Sequence, residues 1–129
     1  MYLIKRSEVK QKPLPGRVLQ LAVGKDDAVV GSQVMTCGWA TYSARSGPMQ
    51  PHHHAEEVVV VLSTDRSYAR YGGNGEAPTE LGPRLPLEVG MVLHFPAMEW
   101  HVFEYEEGGH LDIMFYYSQS DVYSTPKAR

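Results

Sequence analysis

Short apolar stretches alternate with polar turn residues along the whole chain, and this pattern predicts an all-β protein. The stretches are rich in Val, Tyr, Phe, Leu and Met and are separated by Gly, Pro, Asn and Ser, which is typical of strands joined by turns. No segment has the period of a long amphipathic helix. The predicted strands are residues 2–6, 17–23, 29–36, 38–43, 57–62, 67–71, 91–95, 100–105 and 110–117.

So many strands in a chain of 129 residues must close into a barrel or stack as two sheets, because open sheet edges promote aggregation. We expect one domain over residues 1–129 with a β-barrel or jelly-roll architecture. Residues 76–86, which include three prolines, are predicted to form a surface connection. Residues 118–129 are predicted to be a poorly fixed tail.

Charge and composition exclude several classes of partner. Twelve Lys and Arg against fifteen Asp and Glu give a net charge of -3, which offers no electrostatic basis for binding nucleic acid or an anionic membrane. No apolar run approaches the roughly 20 residues of a membrane helix, and the N-terminus does not resemble a signal peptide. Cys37 is the single cysteine, so no internal disulfide can form. We expect a soluble, cytoplasmic protein that binds a small molecule.

Residues 52–57, with the sequence HHHAEE, hold most of the chain's metal-binding chemistry and lead into the apolar residues 58–62. Imidazole nitrogens and carboxylate oxygens are ligands shared by zinc, iron(II), manganese, nickel and copper. On a strand, residues i and i+2 point to the same side, so His52 and His54 can chelate one ion. The pattern therefore predicts a site for a divalent transition metal.

A second segment follows a definite pattern between Gly90 and His101. The glycine turns the chain into a short apolar strand, Pro96 closes the strand, and His101 begins the next one five residues later. Here the sequence resembles the cupin superfamily, whose second motif is glycine, five residues, proline, one residue, glycine, two residues and histidine. Gly90, Pro96 and His101 match that spacing, and Met98 takes the place of the motif's second glycine.

The first cupin motif runs glycine, about five residues, His-any-His, three or four residues, glutamate and an apolar strand. Gly47, the histidine run and Glu57 resemble it, so the motif region covers residues 47–105. If His52 and His54 are the pair, two residues separate them from Glu57, one fewer than the shortest common spacing. Counting back from Glu57 instead places His53 at the second position. Both registers stay open at this point.

The resemblance implies a cupin-like jelly roll, or double-stranded β-helix, with a metal site near the barrel centre. Two or three His and one Glu would hold iron(II), manganese, nickel or zinc. The predicted ligands are His101, Glu57, His52 and His54, with His53 as the register alternative.

Three other residues of metal-binding type are not predicted to be ligands. Glu56 is expected to face solvent or to orient a ligand histidine. His94 is expected to be a hydrogen-bonded core or lining residue, and His110 a surface residue. No general acid or base is assigned.

The expected function is that of a metal-dependent enzyme acting on a small polar molecule, by dioxygenase, isomerase or decarboxylase chemistry. The alternative is a non-catalytic cupin that binds or senses a sugar or an organic acid. Residues 2–23 are long and apolar for a chain of this size, and cupins commonly extend a sheet across a dimer. We therefore also expect a homodimer with contacts from residues 2–43.

Overall fold

The computed structural model describes residues 1–73 and 81–118, and this part of the chain is built from β-strands. Two single turns of 3-10 helix, Arg6–Glu8 and Ala44–Ser46, are its helical elements. No helix in the described part is long and apolar enough to cross a membrane. The all-β prediction is confirmed. The strands are β1 (Lys12–Leu14), β2 (Arg17–Gly24), β3 (Val30–Gly31), β4 (Met35–Ser43), β5 (Glu57–Tyr71), β6 (Leu85–Pro86), β7 (Val92–Phe95) and β8 (His101–Ser118).

These strands form a sheet in the order β1-β2-β4-β8-β5-β6, with β3 paired to β2 and β7 paired to β5. The β2–β3 pairing is parallel, and the other pairings are antiparallel. Strands β5 and β8 pair along most of their length, from Glu57 opposite Tyr117 to Tyr71 opposite His101. Their register shifts twice, and such bulges bend a strand pair so that it can serve two walls of a closed sheet.

The predicted division of β5 and β8 into separate shorter strands is wrong. Residues 57–62 and 67–71 belong to one strand, and so do residues 100–105 and 110–117, apart from Trp100. The polar and glycine residues between them form irregularities within a pair rather than chain reversals. Arg66 has φ 50, and a Cβ on Gly109 would lie 2.5 Å from the carbonyl oxygen of Asp65.

The predicted strands at residues 2–6 and 29–36 are also wrong. Tyr2 and Leu3 are 78% and 79% exposed and pair with no strand, although both residue types favour β-structure. The chain forms a turn of 3-10 helix at Arg6–Glu8 instead. Residues 29–36 contain only the two-residue β3 before β4 begins at Met35. Strand β1 was not predicted, because it contains Pro13 and proline argues against a strand. An edge strand such as β1 tolerates it.

The core lies on the inner face of the sheet, where alternate residues of each strand are buried. In β5 this alternation begins with Glu57 and continues through Val59 and Val61. Glu57 therefore shares the inner face with apolar core residues. The core cluster comprises Ala40, Tyr42, Met49, Val59, Val61, Ala69, Leu87, Phe95, Val102, Phe103, Leu111, Ile113 and Phe115.

Two predicted segments lie partly outside the described residues. Residues 76–80 of the predicted 76–86 connection, and residues 119–129 of the predicted tail, lie outside the described residues. Within the described remainder, Leu85–Pro86 forms the short strand β6 against β5, and Ser118 ends β8.

Candidate metal centre

Backbone pairing brings the histidine run next to the start of β8. His52 and His101 form an isolated antiparallel bridge, in which each N–H donates to the other's carbonyl oxygen, at 3.0 and 2.9 Å. The carbonyl of His54 also accepts a hydrogen bond from the backbone N–H of Met98, at 2.7 Å. These bonds fix the run against the turn that precedes β8, although the two histidine motifs are about fifty residues apart in sequence.

Three of the predicted ligands come together. One ring nitrogen from each of His52, His54 and His101 lies within 4.8 Å of the other two. The ring centroids are 4.5 Å apart for His52 and His101, and 5.3 Å apart for His54 and each of the other two rings. The i, i+2 spacing of His52 and His54 thus does place both side chains on one side.

Each of these rings is oriented by a backbone carbonyl. A carbonyl oxygen only accepts, so the nearby Nδ1 must carry the proton and Nε2 is left with its lone pair. Carbonyl partners of this kind commonly fix the tautomer of a metal-binding histidine. The Nδ1 atoms of His52, His54 and His101 lie 3.2, 2.9 and 3.0 Å from the carbonyl oxygens of Gln50, Ala55 and Glu99.

His101 supplies the strongest indication of a cation site. Its side chain is 2% exposed, and its Nε2 is buried without a hydrogen-bond partner among the described residues. The ring stacks on Phe95, with 4.1 Å between centroids, which holds that nitrogen in place. Native structures rarely leave a buried nitrogen unsatisfied, and a metal ion is one group that would satisfy it.

Glu57 lies beside the three rings. Its Oε1 is 3.3 Å from Nε2 of His101 and 3.5 Å from Nε2 of His54, without the geometry of a hydrogen bond to His101. The residue is only 7% exposed. A buried carboxylate that faces imidazole lone pairs is unfavourable by itself, whereas a cation between them is attracted to all three groups.

Burial also keeps His52 in the form that binds metal. It lowers the pKa of His52 well below the ordinary value of 6.5, and the nearby His101 and His54 rings lower it further. A neutral imidazole is the ligating form. The donor set, its tautomers and the neutral His52 ring therefore fit a divalent transition metal.

The register alternative His53 points elsewhere. Its ring stacks on Trp100, with centroids 3.9 Å apart and planes inclined by 12°. Its Nδ1 lies 3.0 Å from the carbonyl oxygen of Met98. The geometry favours the His52 and His54 register, with the short interval to Glu57 accommodated where the chain enters β5.

Two predictions about neighbouring histidines need correction, and one about Glu56 is refined. His94, expected to line the core, is exposed, because its place in β7 turns it to the outer face. Its Nε2 lies 2.6 Å from Oε2 of Glu56, and both side chains are more than half exposed. Glu56 thus faces solvent rather than orienting a ligand. His110, expected at the surface, is partly buried and its Nε2 is 3.0 Å from Oγ of Ser63.

A cavity of about 460 Å³ adjoins the three-histidine cluster. His52, His54 and Glu57 line it, so a small molecule in the cavity would lie next to the candidate site. The remaining lining is mostly apolar, with a few polar groups. It comprises Leu14, Pro15, Arg17, Leu19, Ala40, Tyr42, Pro48, Met49, Gln50, Pro51, Phe103, Phe115 and Tyr117.

The sequence pattern did not single out Arg17 or Tyr42 as lining residues of the cavity. A signal was present for Arg17, since it occupies the same strand face as Leu19 and Leu21 in an alternating segment. A charged residue in an apolar alternation marks either a strand end or a functional group on the inner face. Nothing in the pattern distinguishes Tyr42 from a packing tyrosine.

Comparisons with known proteins agree on the architecture. No protein-family model matches the chain, and no curated protein matches it. Among solved structures, the polyketide cyclase RemF from Streptomyces resistomycificus matches with a TM-score of 0.67 and 18% identity, over 93% of this chain and 80% of that one. A protein from Planctomyces limnophilus matches with a TM-score of 0.71 and 18% identity, over 99% and 94%. The iron(II) form of HppE matches with a TM-score of 0.65 and 12% identity, over 91% and 60%.

These neighbours decide the architecture. The chain has a cupin fold. The cupin and jelly-roll prediction is thereby confirmed, and the cluster of histidines lies on the inner side of the cupin sheet. Identities below one fifth carry the fold and no further property, so the chemistry of this chain depends on its own residues.

Proposed function

We propose that this cupin is a metal-dependent enzyme that acts on a small polar molecule. His52, His54 and His101 would hold a divalent ion, with Glu57 as the fourth protein ligand. The observation that carries the proposal is the convergence of three imidazoles whose Nδ1 atoms are engaged by carbonyls and which each bring one ring nitrogen within 4.8 Å of the other two. The unpartnered Nε2 of His101 belongs to that convergence.

The adjoining cavity supports a catalytic site over a purely structural one. Structural metal sites are closed by protein ligands, whereas catalytic sites keep a position open for substrate or water. Two of the three histidines and Glu57 line the cavity, so a ligand in the cavity could reach an ion held there. A volume of about 460 Å³ is in the range of small-molecule sites.

The bound ion would supply Lewis-acid polarisation of a substrate oxygen, and iron(II) would add dioxygen chemistry. We propose dioxygenase, isomerase or decarboxylase chemistry as the finer alternatives. The neighbours include a polyketide cyclase and an iron(II) protein, which supports both a redox and a non-redox version. Iron(II), manganese, nickel and zinc all suit the donor set.

The chain's own residues would orient and enclose the substrate. Phe95 holds the His101 ring by stacking. Phe103 and Phe115 form an apolar wall of the cavity, which excludes water and strengthens electrostatic interactions inside it. Burial raises the pKa of Tyr42, so its hydroxyl stays protonated and can donate a hydrogen bond to a bound oxygen.

One observation favours the alternative of a non-catalytic cupin that binds or senses a sugar or an organic acid. Among the described lining residues, Glu57 is the one carboxylate, and the proposal uses it as a metal ligand. No lining carboxylate is then left over as a general base. A binding function requires none.

Turnover and binding can be separated on one preparation. Metal-free protein is loaded in turn with iron(II), manganese, nickel and zinc, and each form is tested against a panel of small oxygenated acids and sugars. We expect turnover with at least one ion, and no turnover in metal-treated His54→Gln protein. Ligand-dependent thermal stabilisation without turnover across the panel would support the binding function. Failure of every ion to bind would refute both the redox and the non-redox version of the metal-dependent enzyme.

The homodimer and the cytoplasmic location are further parts of the proposal. Residues 1–3 are apolar and exposed in the single chain, with Met1, Tyr2 and Leu3 at 112%, 78% and 79%, which suits a contact with a second copy. The unpaired Cys37 suits a reducing compartment.

A further inference from the structure

Arg17 occupies a fixed position beside the candidate metal centre. It follows the turn at Pro15 and Gly16 and is the first residue of β2. Gly16 has φ 87, and its backbone N–H donates to the carbonyl oxygen of Ser46, at 2.8 Å. A Cβ at Gly16 would lie 3.0 Å from Cα of Met49. The turn is therefore packed against the segment that leads into the histidine run, and this packing fixes the backbone position of Arg17.

The strand register turns Arg17 inward. Val18 pairs with Thr41, whose hydroxyl bonds to Asp112 on the outer face. The next pair along the two strands, Arg17 and Tyr42, therefore faces the opposite side, and both residues line the cavity. Side chains alternate along a strand, so this placement follows directly from the register.

Arg17 has no protein partner for its charge. Within residues 1–73 and 81–118 its side chain makes no ion pair and no hydrogen bond. By contrast, Arg6, Arg66 and Arg84 each pair with a carboxylate, at 2.6, 3.0 and 2.9 Å. An arginine on the inner face of a sheet carries a desolvation cost that an anionic partner would offset.

The charge of Arg17 also affects the pKa values of nearby groups. It opposes the burial that raises the pKa of the Tyr42 hydroxyl. It adds to the burial that lowers the pKa of His52. The guanidinium and the neutral Tyr42 hydroxyl thus offer hydrogen-bond donors to the same cavity that His52, His54 and Glu57 line.

We propose that Arg17 binds the anionic oxygen group, a carboxylate or a phosphonate, of a small ligand whose other end reaches the three-histidine site. This inference rests on the proposed function and names its substrate class. A guanidinium binds such a group through two parallel N–H donors, which fixes orientation as well as position. Leu19, Met49 and Phe115 on the cavity wall match an apolar body between the two polar ends.

The test measures binding of defined probes by calorimetry. Phenylacetate and phenylphosphonate carry the two anionic groups on an apolar ring, and phenylacetamide is the neutral control. Each is titrated into zinc-loaded and metal-free protein. We expect both anions to bind more tightly than the amide. Arg17→Gln should weaken anion binding about tenfold or more, with amide binding unchanged, and Arg17→Lys should weaken it less.

Arg45→Gln is the matched control, because Arg45 is exposed and its loss changes the net charge equally. It should leave anion binding unchanged. The melting temperature of Arg17→Gln should be no lower than that of the wild type and its zinc content should be the same, which shows that the variant folds and keeps the metal centre.

The outcomes separate this inference from the proposed function. Equal anion binding by the wild type and Arg17→Gln would overturn the assignment of Arg17, as would failure of both anions to bind at millimolar concentration. Arg17-dependent anion binding in a protein that takes up no metal would support the anion site while refuting the metal enzyme. A preference for phenylacetate or for phenylphosphonate would identify which anionic group the site accepts.

Discussion

Replacing Glu57 by Gln should stabilise the metal-free protein. The carboxylate is 7% exposed and faces the Nε2 atoms of His54 and His101 at 3.5 and 3.3 Å. In the metal-free chain the buried Nε2 of His101 has no hydrogen-bond partner among the described residues and presents a lone pair, so the carboxylate gains no hydrogen bond from it. Glutamine keeps the volume, removes the charge and offers an N–H₂ group that can donate to one of the nitrogens.

The size of the effect follows from the groups involved. Relieving an unsatisfied buried polar group contributes about 1–3 kcal/mol. For a domain of this length 1 kcal/mol corresponds to about 4 °C in melting temperature, so the metal-free Glu57→Gln protein should melt roughly 4–12 °C higher. With metal at one hundred times its Kd, the wild type should gain about 2.7 kcal/mol. If the variant binds tenfold more weakly, its gain falls to about 1.4 kcal/mol.

The assay is thermal and urea unfolding at about pH 8, where histidines are neutral, with and without zinc. Glu56→Gln is the matched control, because Glu56 pairs with His94 in solvent and exposed pairs contribute less than about 1 kcal/mol. Destabilisation of the metal-free protein by Glu57→Gln would refute the reasoning. It would show that the carboxylate accepts hydrogen bonds from protonated histidines, as in an ion-paired cluster.

Three further predictions test other parts of the account. His53→Gln should keep the metal content of the wild type, whereas His54→Gln should lose it; equal loss in both would refute the register. The folded state lowers the pKa of His52, so on acidification the unfolded chain takes up that proton first. The contribution of His52 to the free energy of unfolding is therefore complete above about pH 6.5 and is lost as the pH falls through the folded pKa. Urea unfolding from about pH 8 to pH 5 should show a shallower fall in metal-free His52→Gln than in the wild type, and equal slopes would contradict the assigned shift. Sedimentation equilibrium should give the mass of two chains, and removal of residues 1–4 should weaken the dimer; the mass of one chain at micromolar concentration would exclude it.

Local patterns predicted which histidines lie close together better than they predicted the strands. The spacing of His52 and His54 implies a shared side, and the interval from Gly90 through Pro96 to His101 places the third histidine at a strand start. Both patterns describe short stretches of backbone, where periodicity is decisive. The choice between His52 and His53 needed the bridge to His101, which is a contact between distant segments.

The failures also have physical causes. Glycine and polar residues such as Arg66 and Gly109 mark both turns and bulges, so the sequence does not distinguish two short strands from one bent strand. The expectation for His94 failed because a histidine between Leu93 and Phe95 can face either side, and register alone decides which. Arg17 was missed because its meaning depends on the cavity that β1, β2 and β4 enclose with the histidine segment.

Metal content tests the central claim most directly. Protein purified without a nickel column, and then incubated with each divalent ion and desalted, should retain one equivalent per chain. His101→Ala should lose that equivalent, while His94→Ala, which removes an exposed histidine paired with Glu56, should retain it. Absence of bound metal from the wild type, or an undiminished equivalent in His101→Ala, would contradict the account.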